Sequence, residues 1–309
     1  MQIHPPDAAI ANDAKGAAIA LGNFDGVHRG HQAVIASARE AAGRLGAPLS
    51  VAVFRPHPRR FFQPDAPPFR LQSANQRARA LAALDVDHLY EIGFDRARAQ
   101  SSDAAFAANV LRGGFGARHV SVGADFRFGR GRMGDVESLT RLGAANGFSV
   151  TAVAPVGDAA GERVSSSAIR AALSRGDVAG AGRLLGRPWA IEGEVARGFA
   201  RGRDLGFPTA NIPLGDYQQP RLGIYAVRVD LGDGVQRPGV ASIGVNPTTG
   251  ALPLPLLETH LFDFDSDLYG RVIETALIAF LRPEEKFETI DVMRRQMDRD
   301  AEAARALLA

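Results

Sequence analysis

At 309 residues, 46% hydrophobic and 23% charged, the chain has a globular composition and about twice the length at which one core commonly gives way to two, which excludes disorder and a small stapled scaffold. It contains no cysteine, which removes disulfides, thiolate metal centres, iron–sulfur clusters and a cysteine nucleophile together. Thirty-six basic residues against 34 acidic ones give a net charge of +2, too even for the concentrated basic face of a dedicated nucleic-acid binder.

Basic residues outnumber acidic ones by 22 to 16 through Gly186 and are outnumbered by 18 to 14 beyond it. The early excess suits a polyphosphate ligand or a solvated arginine surface. Residues 1–20 carry Asp7, Asp13 and two prolines in place of a basic stretch leading into an apolar run, and no apolar run approaches the roughly 20 residues needed to span a bilayer. The expectation is a cytoplasmic protein that meets no membrane.

In chain order, a strand is predicted over residues 17–22, followed by a glycine turn and a helix over 31–45. Strands over 49–54, 87–92, 119–123 and 149–154 alternate with helices over 76–84, 102–113 and 139–146. That alternation implies parallel strands with right-handed crossovers, an open α/β sheet. After Gly186-Arg187-Pro188 the texture changes to strands over 189–195, 223–231, 239–244, 258–264 and 272–281, separated by turns. No long helix intervenes, so an antiparallel sheet closing into a barrel is predicted. A last helix carries Ile290, Met293, Met297, Ala301 and Ala304 at helical spacing. The domains expected are residues 1–186 and 187–309.

The strongest local signal is Gly22-Asn23-Phe24-Asp25-Gly26-Val27-His28-Arg29-Gly30-His31, placed where the first strand hands over to the first helix, the edge at which open α/β sheets bind ligands. His28 and His31 project to one side of a helix start, with Gly30 leaving room close to the backbone. Two imidazoles beside amide donors can hold nucleotide phosphates and offset charge on a leaving group. Val164-Ser165-Ser166-Ser167-Ala168-Ile169-Arg170 opens a short helix ending near Gly176, either as an anion site or as plain capping. In Gly123-Ala124-Asp125-Phe126-Arg127-Phe128-Gly129 the aromatics can stack on a planar ring and Asp125 can accept from a ring nitrogen, although the same pattern also reads as core plus turn.

In this order the three segments resemble the HxGH nucleotidyltransferase superfamily, and within it the FMN adenylyltransferase module of bacterial bifunctional riboflavin kinase/FAD synthetases. The resemblance implies that His28 and His31 are catalytic and contact ATP phosphates. It further implies that Asn23 contacts the nucleotide and that Ser165, Ser166 and Arg170 form the phosphate motif, with Ser167 in place of the usual threonine. Asp125 and Phe128 are the expected flavin contacts.

The second part carries Gly198-Phe199-Ala200-Arg201-Gly202-Arg203-Asp204-Leu205-Gly206-Phe207-Pro208-Thr209-Ala210-Asn211, which is neither a Walker loop nor a protein-kinase loop. Amides around Gly202 can wrap a phosphate, and Thr209 and Asn211 can offer oxygens to a hard cation and its phosphate; a hairpin loop is the plain alternative. With Gly223-Ile-Tyr-Ala-Val227, Ser242-Ile-Gly-Val-Asn-Pro-Thr248, the Glu258-Thr-His block and Phe280-Leu-Arg-Pro-Glu-Glu-Lys-Phe287, this loop is similar to the signature blocks of riboflavin kinases. Thr249 departs from them, standing where an aromatic is usual. The resemblance implies phosphorylation of riboflavin with Glu258, at the start of its strand, as the base, and then adenylylation of FMN, with ATP and Mg²⁺ in both steps. The substrates expected are riboflavin, FMN and ATP, with no nucleic acid. Two other readings are a single-activity enzyme whose second domain is a flavin or nucleotide sensor, and an RNA-binding module; the mixed charge weighs against the latter.

Overall fold

The computed structural model describes residues 1–6, 8, 10–159, 161–196, 207–245 and 255–309. The glycine loop around Gly202 and the departure at Thr249 lie outside the described residues. The chain forms two compact units, Met1–Pro67 with Ala74–Val164, and Pro68–Ser73 with Ser165–Ala309.

The first unit holds β1 (Gln2–His4), β2 (Ala18–Leu21), β3 (Leu49–Arg55), β4 (His88–Gly93), β5 (His119–Gly123) and β6 (Ser149–Val153). They form one sheet in the order β1-β4-β3-β2-β5-β6, parallel at every pairing. The helices of this unit are α1 (Arg29–Leu45), α2 (Pro58–Phe62), α3 (Ala74–Ala82), α4 (Arg96–Gln100), α5 (Asp103–Ala105, continuing as a π-helix over Phe106–Gly114) and α6 (Val136–Asn146). β2 is buried along its whole length, as a central parallel strand must be. Its alternation sorts the two layers: Ala18 and Ala20 pack with Val34, Ile35 and Ala38 of α1, while Ile19 and Leu21 join Phe106 and Leu111 on the other face. Successive strands run outward from β2 to β3 and β4, then jump back to β5, so the order reverses between β2 and β5. Ligand crevices open at that switch point, beyond the carboxyl ends.

The second unit begins with α7 (Ser166–Arg175) and α8 (Val178–Leu185). Its sheet holds β7 (Trp189–Glu194), β8 (Ala210–Pro213), β9 (Gly223–Asp230), β10 (Gln236–Val245), β11 (Pro255–Leu261) and β12 (Val272–Arg282), ordered β7-β12-β9-β10-β11-β8. Every pairing is antiparallel. Among the described residues the first and last strands meet through a bridge of Ala196 with Asn211, whose Ala196 N–H donates to the Asn211 carbonyl at 2.8 Å; the barrel is thus nearly closed. The terminal helix α9 (Ile290–Leu308) buries Ala304 and Leu308 against Ala226, Val240 and Phe262.

Several elements differ from the sequence expectation, among them the short helices α2 and α4 and the following four. β1 is a three-residue strand paired to His88, Leu89 and Tyr90, too short for alternation to reveal. α8 contains Gly180 and Gly182, which lower helix propensity, yet Asp177 caps it by accepting from Gly180 N and Val178, Ala181, Leu184 and Leu185 are buried. β11 starts at Pro255 and stops at Leu261, because Asp263 turns the chain with φ 54°. Glu258 therefore sits mid-strand and not at a strand start. In α9 only the carboxyl half docks: Ile290, first of the expected apolar stripe, is exposed.

Candidate active sites

In the first unit, the loop after β2 is tied to the sheet by Gly22 N–H donating to the Ala52 carbonyl at 3.1 Å. Three of the next residues are left-handed, Phe24 (φ 50°), Gly26 (φ 92°) and Val27 (φ 43°). For a β-branched residue such as Val27 that conformation is costly. Burial offsets the cost, since Phe24 and Val27 both lie in the cluster under α1. The loop therefore delivers His28 to a fixed place, the N-cap of the 17-residue α1. The buried His28 accepts the His31 backbone N–H on Nδ1 at 3.2 Å, which puts the proton of the neutral ring on Nε2. The two imidazoles stack with centroids 3.6 Å apart and planes 16° from parallel. A side chain at Gly30 would start 3.2 Å from His28 Nδ1 and Cε1. The missing Cβ thus makes room for His28's own ring, a more local reason for the glycine than ligand access. Asn23, in the same loop, is exposed. The result is a stacked imidazole pair at the positive end of a long helix, a setting that favours anions.

The loop after β5 leaves the neighbouring strand at the same edge. Asp125 is exposed and pairs with Arg163. Phe128 is 5% exposed and belongs to the core, its ring 5.8 Å from Phe106 and stacked 5.7 Å from the half-buried Phe126. Sequence reading missed a second aromatic group at the carboxyl ends of β3 and β4. There Phe94 lies 5.5 Å from Phe54, 5.4 Å from Phe61 and 5.7 Å from Phe62, and Phe62 is 63% exposed. The only sequence signal was the adjacent Phe61-Phe62 pair in a Pro- and Arg-rich stretch.

Ser165, Ser166 and Arg170 belong to the second unit. Ser165 caps α7, its Oγ accepting from Ala168 N at 3.1 Å. Arg170 is anchored: its Nε donates to the Phe69 carbonyl at 2.7 Å and its guanidinium lies 5.5 Å from the Phe69 ring centre. The segment Pro68–Ser73 also accepts the Trp189 Nε1 proton on Leu71 O at 2.8 Å and donates from Ser73 Oγ to Glu192 Oε1 at 2.6 Å.

In the barrel, register pairs Asn211 with Glu258 and Glu258 with Ser242, so the three side chains leave one face in a row across β8, β11 and β10. Thr209 directly precedes β8. A cavity of about 350 Å³ is lined by Val195, Thr209, Asn211, Thr259, Asp265 and Asp267, among others. Asn211 is 7% exposed; among the described residues its Oδ1 and the Thr259 Oγ1 are buried without a hydrogen-bond partner. Such an orphan costs about 1–3 kcal/mol unless something else satisfies it. The half-buried Glu258 has its carboxyl pushed up, first by burial and then by the nearby Glu284. No cluster of three His, Cys, Asp or Glu suited to a metal occurs among the described residues.

Residues 10–168 match the family model of FAD synthetase and residues 185–308 that of riboflavin kinase. The chain is 43% identical over 295 residues to the bifunctional riboflavin kinase/FMN adenylyltransferase of Pseudomonas fluorescens, covering 96% of this chain and 94% of that one. It is 40% identical over 292 residues to the protein of the same name from Escherichia coli K12, covering 94% and 92%. A solved structure named a macrolide-efflux protein, from Streptococcus pneumoniae, has a TM-score of 0.86 at 31% identity over 99% of both chains. No helix among the described residues of the present chain is long and apolar enough to cross a membrane.

Proposed function

The chain belongs to the family of bifunctional riboflavin kinase/FMN adenylyltransferases and carries both activities, phosphorylation of riboflavin to FMN and adenylylation of FMN to FAD, and on that premise we propose how its residues divide the work. Matches to both family models, over residues 10–168 and 185–308, leave the single-activity and RNA-binding readings without support.

In adenylyl transfer an FMN phosphate oxygen attacks the α-phosphorus of ATP as the bond to pyrophosphate breaks. The stacked His28 and His31 hold the phosphates and offset the charge moving onto pyrophosphate, with no covalent enzyme intermediate. Asn23, Ser165, Ser166 and Arg170 bind the remaining nucleotide oxygens. Asp125 and Phe128 serve the flavin, and the burial of Phe128 favours a supporting role behind the half-buried Phe126.

In riboflavin phosphorylation Glu258 takes the proton of the ribityl hydroxyl as that oxygen attacks the γ-phosphorus of ATP and ADP leaves. Thr209 and Asn211 hold the phosphate side together with amides of the Gly202 loop. The same two residues fit Mg²⁺, a hard ion that takes few protein oxygens and completes its shell with water and phosphate. Bound there, it supplies charge neutralisation on the β- and γ-phosphates. The observation that carries this reading is the Asn211 Oδ1 in the cavity, buried without a hydrogen-bond partner among the described residues and one strand from Glu258. Since ATP serves both steps, we place the enzyme in the cytoplasm.

The test is a time course of flavins, resolved by chromatography, from riboflavin, ATP and Mg²⁺. The intact chain yields FMN and then FAD. With His28 and His31 both changed to Ala, FMN accumulates and FAD is absent. Loss of both products from that variant in a folded state would overturn the division.

A further inference from the structure

β3 ends at Arg55 on the carboxyl edge of the first sheet, beside β2, whose loop leads to His28 and His31. Leu49, Val51 and Val53 pack in one cluster with α1 and with Phe24 and Val27 of that loop. Alternation makes Arg55 the next member of this series, about 7 Å beyond Val53 along the strand and on the face where the imidazole pair stands. Its ladder partner is Gly93, which has no side chain to cover it. Two residues before Gly93, the carboxyl of Glu91 is buried, with only 4% of that side chain exposed. One of its oxygens accepts from Arg55 Nη1 at 2.6 Å and the other from Arg77 Nη2 of α3 at 3.1 Å. Two guanidinium groups on one carboxylate give the triad a net positive charge. Arg77 is the inner of the two, whereas the Arg55 side chain is 59% exposed.

We propose that Arg55 binds a phosphate of the adenylyl-transfer substrates and that Glu91 is the positioning residue that holds it at the edge of the sheet. This rests on His28 and His31 marking the adenylyltransferase site. Stability alone gives little reason for the contact: an ion pair to so exposed an arginine contributes little, and Arg77 already gives the buried carboxylate a partner. What Glu91 secures is direction. It fixes one nitrogen of a long side chain, so the other donors of the planar fork meet an anion with less freedom left to lose. A phosphate is the group that such a fork matches, and FMN and ATP both bring one to the reaction. At that place Arg55 takes no proton; it offsets charge on the phosphate oxygens it meets.

The test is steady-state adenylylation of supplied FMN by the full chain, with FMN and ATP varied in turn. Arg55→Met and Arg55→Gln remove the charge at similar length and should lower kcat/KM by about 10- to 100-fold, the scale of a hydrogen bond to a charged group. The substrate whose KM rises more, FMN or ATP, identifies the phosphate that Arg55 meets. Arg55→Lys, which keeps the charge without the fork, should recover part of the loss. Glu91→Gln, which leaves both arginines but loosens their anchor, should cost several-fold. Added salt should depress kcat/KM of the unaltered chain more than that of Arg55→Met, a difference that a purely structural ion pair does not produce. Thermal melting shows which variants are folded, and Arg55→Met should melt close to the unaltered chain. Unchanged kcat/KM for both substrates in a folded Arg55→Met or Arg55→Gln, with FAD formation lost in the His28/His31 double variant, overturns the role of Arg55 and leaves the site in place. FAD formation that survives in the double variant overturns both.

Discussion

Asn211 and Glu258 face each other across β8 and β11, and their surroundings suit them to different tasks. Glu258, half-buried and pushed up by burial and a like charge, should ionise above the ordinary carboxylate range, so phosphorylation should fall away on the acid side at a higher pH than for an exposed glutamate. Glu258→Gln keeps shape and removes the basic oxygen; FMN formation should fall by about 10²-fold or more, within the ~10²–10⁴ typical of a positioned base. Among the described residues the Asn211 Oδ1 is buried unsatisfied, which costs stability in the free protein. Asn211→Leu, close in volume and without that oxygen, should therefore hold or raise the melting temperature while phosphorylation collapses. A melting temperature lowered along with activity would instead make Asn211 a structural residue. His28, His31, Ser165 and the Thr209–Asn211 pair were legible in sequence because each lies in a contiguous motif. Glu284 and the Phe54, Phe61, Phe62 and Phe94 group were not, since register and packing, and not spacing, bring them to their neighbours.

At the scale of elements, α9 shows where periodicity informs and where it misleads. Its apolar spacing predicted a helix, which it is, but beside the buried Ala304 and Leu308 the docking includes a polar contact. Arg282 Nε donates to both Asp300 oxygens at 2.9 and 3.1 Å, Arg282 Nη2 donates to Oδ2 at 2.7 Å, and Gln296 donates to Oδ1 at 3.0 Å. Asp300 is 5% exposed, and removing it takes from the half-buried Arg282 its closest carboxylate, leaving Glu285 at 3.8 Å. Asp300→Ala should cost about 3–5 kcal/mol in urea unfolding of the second unit, whereas Ile290→Ser should stay within about 0.5 kcal/mol. Equal effects would mean the amino half of α9 carries the docking after all. Alternation of strand and helix disclosed the parallel sheet, because central strands such as β2 are continuous apolar runs. It could not disclose α8, whose two glycines oppose its helicity until burial and the Asp177 cap decide for it.

For the whole molecule, the change of texture at Gly186 proposes residues 187–309 as a separable kinase. Every riboflavin-kinase block lies within that fragment, but Pro68–Ser73 packs with it in the intact chain, supplying the acceptor for Trp189 Nε1. The fragment should make FMN and melt earlier than the same unit in the full chain, since it lacks α7, α8 and Pro68–Ser73, which pack within that unit. Thermal unfolding followed beside an FMN assay checks both, and a folded fragment that makes no FMN would move the boundary. The most direct measurement of the division of labour supplies each of two variants with riboflavin and, separately, with FMN, in the presence of ATP and Mg²⁺, and resolves the flavins. Glu258→Gln should leave riboflavin nearly untouched yet convert FMN to FAD, and the His28/His31 double variant should take riboflavin to FMN and stop. If either folded variant loses both conversions together, the assignment of the two reactions to two separate sets of residues is wrong.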